Sequence, residues 1–151
     1  MLGTGENMSY SIERRIQFCA GHRVYGHESK CATIHGHNYV AYVHARPKQG
    51  LDPIGRVIDF SVLKELVGGW IDKNWDHNFI VYANDLEVLK MASTISRKKD
   101  PYVMGVNPTA ENMANFLLKA ICPELFKDYQ IEVWKVVLYE TENCSAEATL
   151  V

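Results

Sequence analysis

The stretch Cys31-Ala32-Thr33-Ile34-His35-Gly36-His37-Asn38-Tyr39-Val40-Ala41-Tyr42-Val43 is a short loop running into a strand. Side chains two apart on a strand point to one face, so His35 and His37 converge on a common point. His22, closing the preceding apolar strand, supplies a third nitrogen and completes the three-His shell with one open position of a catalytic zinc. Cys31 lies four residues before His35 and could be a fourth ligand. Its offset better suits a loop thiol beside the metal, where a nearby cation favours thiolate, so Cys31 is a candidate base or nucleophile.

Upstream, Ser9 to Ala20 alternates cleanly. Tyr10, Ile12, Ile16 and Phe18 take one face and Ser11, Glu13, Arg15 and Gln17 the other, the mark of a half-buried antiparallel strand. The polar segment His22 to Lys30 joins it to the second strand, about Gly36 to Arg46, as a long hairpin ended by Pro47 and Gly50. Downstream, Asp59 caps a helix whose Phe60, Leu63, Leu66, Val67, Trp70 and Ile71 form one apolar stripe. Pro108 suits the first residue of another helix, capped by Asn107, whose Met113, Phe116, Leu117, Ala120 and Ile121 keep helical period until Pro123. Between them, Tyr82 to Asn107 reads as a long connection, helical around Asp85 to Met91 and carrying the basic cluster Arg97, Lys98 and Lys99.

Ile131 to Tyr139 is a third strand, apolar on both faces as in a sheet covered on both sides, and Ser145 to Val151 a short fourth. The order β-β-α-α-β-β predicts an α+β fold, with two main helices on one face of a four-stranded antiparallel sheet. Such a sheet leaves its other face and its edges open. Closing the sheets of several copies into a β-barrel removes those edges, so the expected state is a homo-oligomer.

With 151 residues, 47% of them apolar and 23% charged, the chain is one globular domain spanning 1–151 with enough material for a core. A formal charge of −2, with Lys and Arg scattered, excludes an electrostatic case for nucleic acid. No window approaches the roughly 20 apolar residues of a membrane span. Four cysteines without C-x-x-C pairing, and an N-terminus lacking the charged and apolar regions of a signal peptide, point to a reducing cytoplasm. Cys19, Cys122, Cys144, His27 and His44 read as structural or solvated.

Several motifs in order resemble the 6-pyruvoyltetrahydropterin and 6-carboxytetrahydropterin synthase family of the tunnelling fold. They are Phe18-Cys19-Ala20-Gly21-His22-Arg23, Cys31-x3-His35-Gly36-His37-Asn38-Tyr39, Val57-Ile58-Asp59-Phe60, Trp75-Asp76-His77, Asn107-Pro108-Thr109-Ala110-Glu111-Asn112 and Tyr139-Glu140-Thr141. The short Cys-x3-His-Gly-His spacing and the Ile-Asp-Phe segment are similar to the 6-carboxytetrahydropterin synthases of the queuosine pathway; pyruvoyl-forming members usually have a longer gap. Two features depart from the family pattern: Gly21 stands where many members carry Ala or Ser, and the segment Ala83 to Val106 is longer than in compact members.

The resemblance implies a homo-oligomer, usually hexameric, with interfacial sites and 7,8-dihydroneopterin triphosphate as substrate. It implies Zn2+ on His22, His35 and His37, holding the substrate's side-chain hydroxyls as a Lewis acid. Cys31 would remove a side-chain proton and the Asp76–His77 pair would relay protons. Glu140 would anchor the pterin through a bidentate pair, with Thr109 and Glu111 beside it, and Arg23 and Lys30 are the nearest cations for the triphosphate. Loss of triphosphate and of acetaldehyde would make the reaction a carbon-carbon lyase step. The alternatives are the pyruvoyl-forming synthase of tetrahydrobiopterin synthesis and a noncatalytic zinc- or pterin-binding oligomer.

Overall fold

The computed structural model describes residues 8–96 and 98–151. Residues 1–7, part of the stretch without a signal-peptide signature, and Arg97 of the basic cluster lie outside them. Strands β1 (Ile12–His22) and β2 (His35–Pro47) form the expected antiparallel hairpin, in register from Ile12 opposite Ala45 to His22 opposite His35. The hairpin is the centre of the sheet. To it are added β3 (Asn78–Tyr82), β4 (Tyr102–Met104), β5 (Ile131–Thr141) and β6 (Cys144–Thr149), in the order β4-β3-β1-β2-β5-β6.

The sheet is therefore six-stranded and mixed rather than four-stranded and antiparallel. β3 runs parallel to β1, and β4 parallel to β3. Both added strands lie in the neighbourhood read as a long connection, and at five and three residues they are too short to display an alternation. A helix Leu86–Thr94 makes the crossover between them, as parallel neighbours require. No described helix is long and apolar enough to cross a membrane.

Two long helices cover one face. The first, residues 60–74, starts at Asp59, whose carboxylate accepts from the Ser61 N–H at 2.8 Å, and buries Leu63, Val67 and Ile71. The second, residues 110–125, is capped by Thr109 rather than Asn107, the Thr109 hydroxyl accepting from the Asn112 N–H at 3.1 Å. Asn107 instead clasps the backbone of Tyr25 from both sides. This helix also runs past Pro123 to Leu125, because a wide π-type turn at Leu117–Ile121 precedes the proline and relieves its clash with the preceding turn.

Both helices join Ile16, Phe18, Ala20, Tyr39, Ala41, Val43, Val136 and Leu138 of the sheet in one core. The opposite face of β5 is less covered than its composition predicts: Trp134, Val137 and Tyr139 stay half-buried. A register slip between β2 and β5, where His44 faces Lys135 but Ala45 faces Val133, leaves Trp134 as the extra residue. The slip inverts the alternation of β5, so that Ile131 and Val133 point inward, then Val136 and Leu138, and with them Glu140.

One ion pair fastens the end of β1 to the crossover helix. Arg23 donates through Nε and Nη2 to both carboxylate oxygens of Asp85 at 2.6 Å, and Asp85 also accepts from the Val88 N–H at 3.3 Å. Arg23 holds the carboxyl below its usual range despite burial. Replacing Asp85 with Ala strands a partly buried guanidinium and removes the helix cap, so we expect a loss of about 3 kcal/mol in urea unfolding. A loss under about 0.5 kcal/mol would show that the pair is only decorative.

Candidate metal centre and substrate cleft

The hairpin register builds the centre. His22 and His35 face each other across β1 and β2, and His37 lies two residues along on the same inward face. Their ligand nitrogens all fall within 4.8 Å of one another. Backbone carbonyls set two of the rings: His22 Nδ1 lies 2.7 Å from Pro108 O, and His35 Nδ1 2.6 Å from Thr33 O.

A carbonyl oxygen only accepts, so in both rings Nδ1 carries the proton and Nε2 carries a lone pair. Those two Nε2 atoms stand 3.1 Å apart. Two facing lone pairs repel unless a cation lies between them and the third ligand. Ligand bonds of about 2.0–2.1 Å in a tetrahedral shell put neighbouring nitrogens roughly 3.3 Å apart, close to this spacing. The third nitrogen, His37 Nε2, is buried without a hydrogen-bond partner, its nearest charge being Glu140 Oε2 at 3.7 Å. A buried ring nitrogen without a partner, two converging lone pairs and rings oriented by backbone carbonyls fit a divalent metal.

Burial lowers the His22 pKa to about 4, opposed by the Pro108 hydrogen bond and assisted by the neighbouring rings. Burial and the His35 charge lower that of His37 as well. Neutral imidazoles are the ligand form, so this environment keeps the nitrogens open to a metal at neutral pH.

Beside the centre is a cleft of about 240 Å³ lined by Val24, His27, Cys31, Thr109, Glu111 and Glu140, among others. It brings together the loop thiol and the residues expected around the pterin. Cys31 sits half-buried in a short 3-10 turn, Lys30–Ala32, whose exit is pinned by the Val24 N–H on Cys31 O at 2.8 Å. Burial raises the pKa of Glu140, with Glu111 adding to the rise and His35 opposing it. A carboxylate so placed gains from a ligand that donates two hydrogen bonds.

Asp76 and His77 lie elsewhere. They follow the first long helix, and His77 lines a second cleft, of about 520 Å³, with Cys19, Asn38 and Phe79 and with two of the candidate ligands, His35 and His37. Cys19 and Asn38 belong to the outward alternation of the hairpin, so this cleft reaches from His35 and His37 round to the sheet face away from the helices. Asp76 Oδ1 accepts from the Cys19 N–H at 2.9 Å, and Asp76 Oδ2 lies 2.8 Å from His77 Nδ1. Burial pushes the Asp76 carboxyl upward, but these two contacts and Lys99 bring it below its ordinary range.

Of the expected cations, Lys30 is exposed beside Cys31, whereas Arg23 is engaged by Asp85. Sequence reasoning missed Tyr39. It is wholly buried, its ring packs 5.3 Å from that of His37 and 5.9 Å from that of His22, and its hydroxyl has no partner among the described residues. The alternation that aligned His35 with His37 extends to Tyr39 and was the available signal. The supporting carbonyl of Pro108 left no such trace.

The sequence pattern of the 6-pyruvoyl tetrahydropterin synthase family matches residues 11–150. The chain belongs to that family. It is 45% identical over 134 residues to the 6-carboxy-5,6,7,8-tetrahydropterin synthase of Rickettsia typhi, spanning 89% of this chain and 96% of that one. It is 32% identical over 143 residues to the protein of the same name from Haemophilus influenzae, spanning 91% and 97%. The crystal structure of an uncharacterized protein from Wolinella succinogenes has the same fold, with a TM-score of 0.78 at 24% identity, covering 95% of this chain and 99% of that one. Within this family member Gly21 has a local reason: a Cβ there would stand 3.1 Å from the Phe79 ring, which occupies the space a methyl group would need.

The His22 environment has a consequence for the metal-free protein. Unfolded histidine binds a proton near 6.5 while folded His22 resists protonation to about 4, so between these values the unfolded state holds the extra proton and stability falls as pH falls. Urea unfolding of chelator-treated protein from pH 7 to 4.5 should show this slope, and His22→Asn should reduce it by up to one proton. An unchanged proton uptake in the variant would mean that His22 titrates normally.

Proposed function

We propose that this protein is a zinc-dependent 6-carboxytetrahydropterin synthase, converting 7,8-dihydroneopterin triphosphate to 6-carboxytetrahydropterin with release of acetaldehyde and triphosphate. The observation that carries the reading is the convergence of the His22, His35 and His37 nitrogens beside a cleft shared by Cys31 and Glu140. The identity to proteins named for this activity supports the carboxy-forming branch. So does the short spacing between Cys31 and His35. On this reading the protein works in the cytoplasm, on the route to queuosine.

Zn2+ held by the three imidazoles would supply Lewis acidity to the substrate's side-chain hydroxyls and so acidify the adjacent C–H bonds. The other tasks fall to the chain itself. Glu140 receives the pterin's adjacent ring N–H and amino donors, with Thr109 and Glu111 along the same wall. Cys31, as thiolate, takes a proton from the substrate side chain. His77, its ring oriented by Asp76, moves protons as the second acid/base group, so that neither residue must be acid and base at once. Lys30 meets the triphosphate, and Arg23 adds charge there while its Nε and Nη2 stay on Asp85.

Cys31 and His77 line different clefts of one chain, which supports an oligomer whose sites combine the cleft of one copy with the Asp76–His77 pair of another. The outer strands β4 and β6 leave unpaired edges, and closing them between copies yields the β-barrel of a homohexamer.

Incubating zinc-loaded protein with dihydroneopterin triphosphate should release acetaldehyde and triphosphate, read by mass spectrometry. Release of triphosphate with a pyruvoyl product and no acetaldehyde would assign the protein to the tetrahydrobiopterin branch instead. Cys31→Ala should keep its zinc, measured by metal analysis, and lose roughly 10²–10⁴-fold in turnover. An unaltered rate would remove the thiolate from the chemistry.

A further inference from the structure

His77 adopts φ 55°, the single non-glycine residue with positive φ among those described. For a residue with a Cβ this left-handed conformation is disfavoured, and it persists where surrounding contacts impose it. Packing of the ring does not impose it, since the His77 side chain is 77% exposed. The constraint acts on the backbone. The N–H of the Asp76–His77 peptide donates to Cys19 O at 2.6 Å, and the carbonyl of the same peptide accepts from Lys99 Nζ at 2.6 Å. Both ends of one peptide plane are thereby pinned, and φ of His77 is the rotation directly after that plane.

Lys99 reaches back further. Its ammonium also donates to Asp72 O at 2.5 Å, closing the carbonyl end of the first long helix, where a cation complements the dipole. Next to it the Asn78 amide bridges Asn74 O and Asp100 O, each at 2.9 Å. Lys99 and the Asp100 carbonyl thus hold the backbone on both sides of His77, and Lys99 supplies the side-chain cation.

We propose that Lys99 is a positioning residue for the Asp76–His77 pair, fixing the peptide plane from which the exposed His77 ring projects. This rests on the reading of His77 as a proton-transfer residue. With Lys99 removed, the peptide turns, the ring samples other directions, and substrate still binds to the metal and Glu140 of its own cleft.

The test compares Lys99→Met, Lys99→Arg, Lys98→Met and His77→Ala as zinc-loaded oligomers under single-turnover and steady-state conditions. Lys99→Met should slow the single-turnover step about 10-fold or more, as misplacement of a reacting group does, with KM within about 2-fold of wild type. Lys99→Arg should recover most of the rate, and Lys98→Met, altered in the same segment, should keep it. Should the methionine variant not fold, Lys99→Gln, which retains an amide donor, is expected to show an intermediate loss with the same split. An unchanged rate in folded Lys99→Met, or a loss that appears wholly in KM, overturns the proposal if His77→Ala is inactive. Full activity in His77→Ala would instead overturn the proton-transfer reading beneath it.

Discussion

Two imidazole lone pairs facing one another at 3.1 Å are the constraint around which this molecule is arranged. Each ring is held by a carbonyl on its far nitrogen, so neither can rotate or change tautomer to relieve the repulsion without losing a hydrogen bond, which for His22 is buried. The hairpin register supplies the opposition of His22 and His35, and the turn before the second long helix supplies the Pro108 carbonyl. The cap of that helix therefore falls on Thr109, one residue past the proline, leaving the Pro108 oxygen for His22 and the Thr109 hydroxyl for Asn112.

The same economy runs through the cleft. Glu140 reaches the inward face because β5 slips register at Trp134; without that slip the alternation begun by Ile131 and Val133 would send it to the other side of the sheet. One bulge thus converts a continuous strand into a carrier for a half-buried carboxylate. Tyr39, wholly buried, packs its ring beside two of the imidazoles. Polar groups that would be faults in an ordinary core are concentrated here, which is the pattern of a site built for a ligand.

Across the sheet, the Asp76–His77 pair shows a different solution. Its ring stands in solvent, so its direction comes from the Asp76 carboxylate and from backbone hydrogen bonds to Cys19 and Lys99 rather than from packing. In the proposed reaction, an exposed ring held from behind suits a site completed by another copy of the chain. The segment added between β3 and the second long helix carries the clamp, so the long middle region serves the site without lining the metal centre.

Much of this was legible in the residues alone. The period-two alternation of β1 and β2 determined the hairpin and the shared face of His35 and His37, and the apolar stripes determined both long helices, since these patterns are local consequences of strand and helix geometry. The convergence of His22, His35 and His37 followed from strand spacing, and the motif order pointed to Cys31 and Glu140 as neighbours of the site. Tertiary structure alone decided the rest. β3 and β4 are too short for a pattern and exist because the edge beside β1 offers parallel partners. The inversion in β5, the service of Pro108 to His22, the capture of Arg23 by Asp85 and the separation of His77 from Cys31 all join residues distant in the chain. Local periodicity carries no information about such pairings, because each depends on where a different segment's hydrogen-bonding groups come to rest.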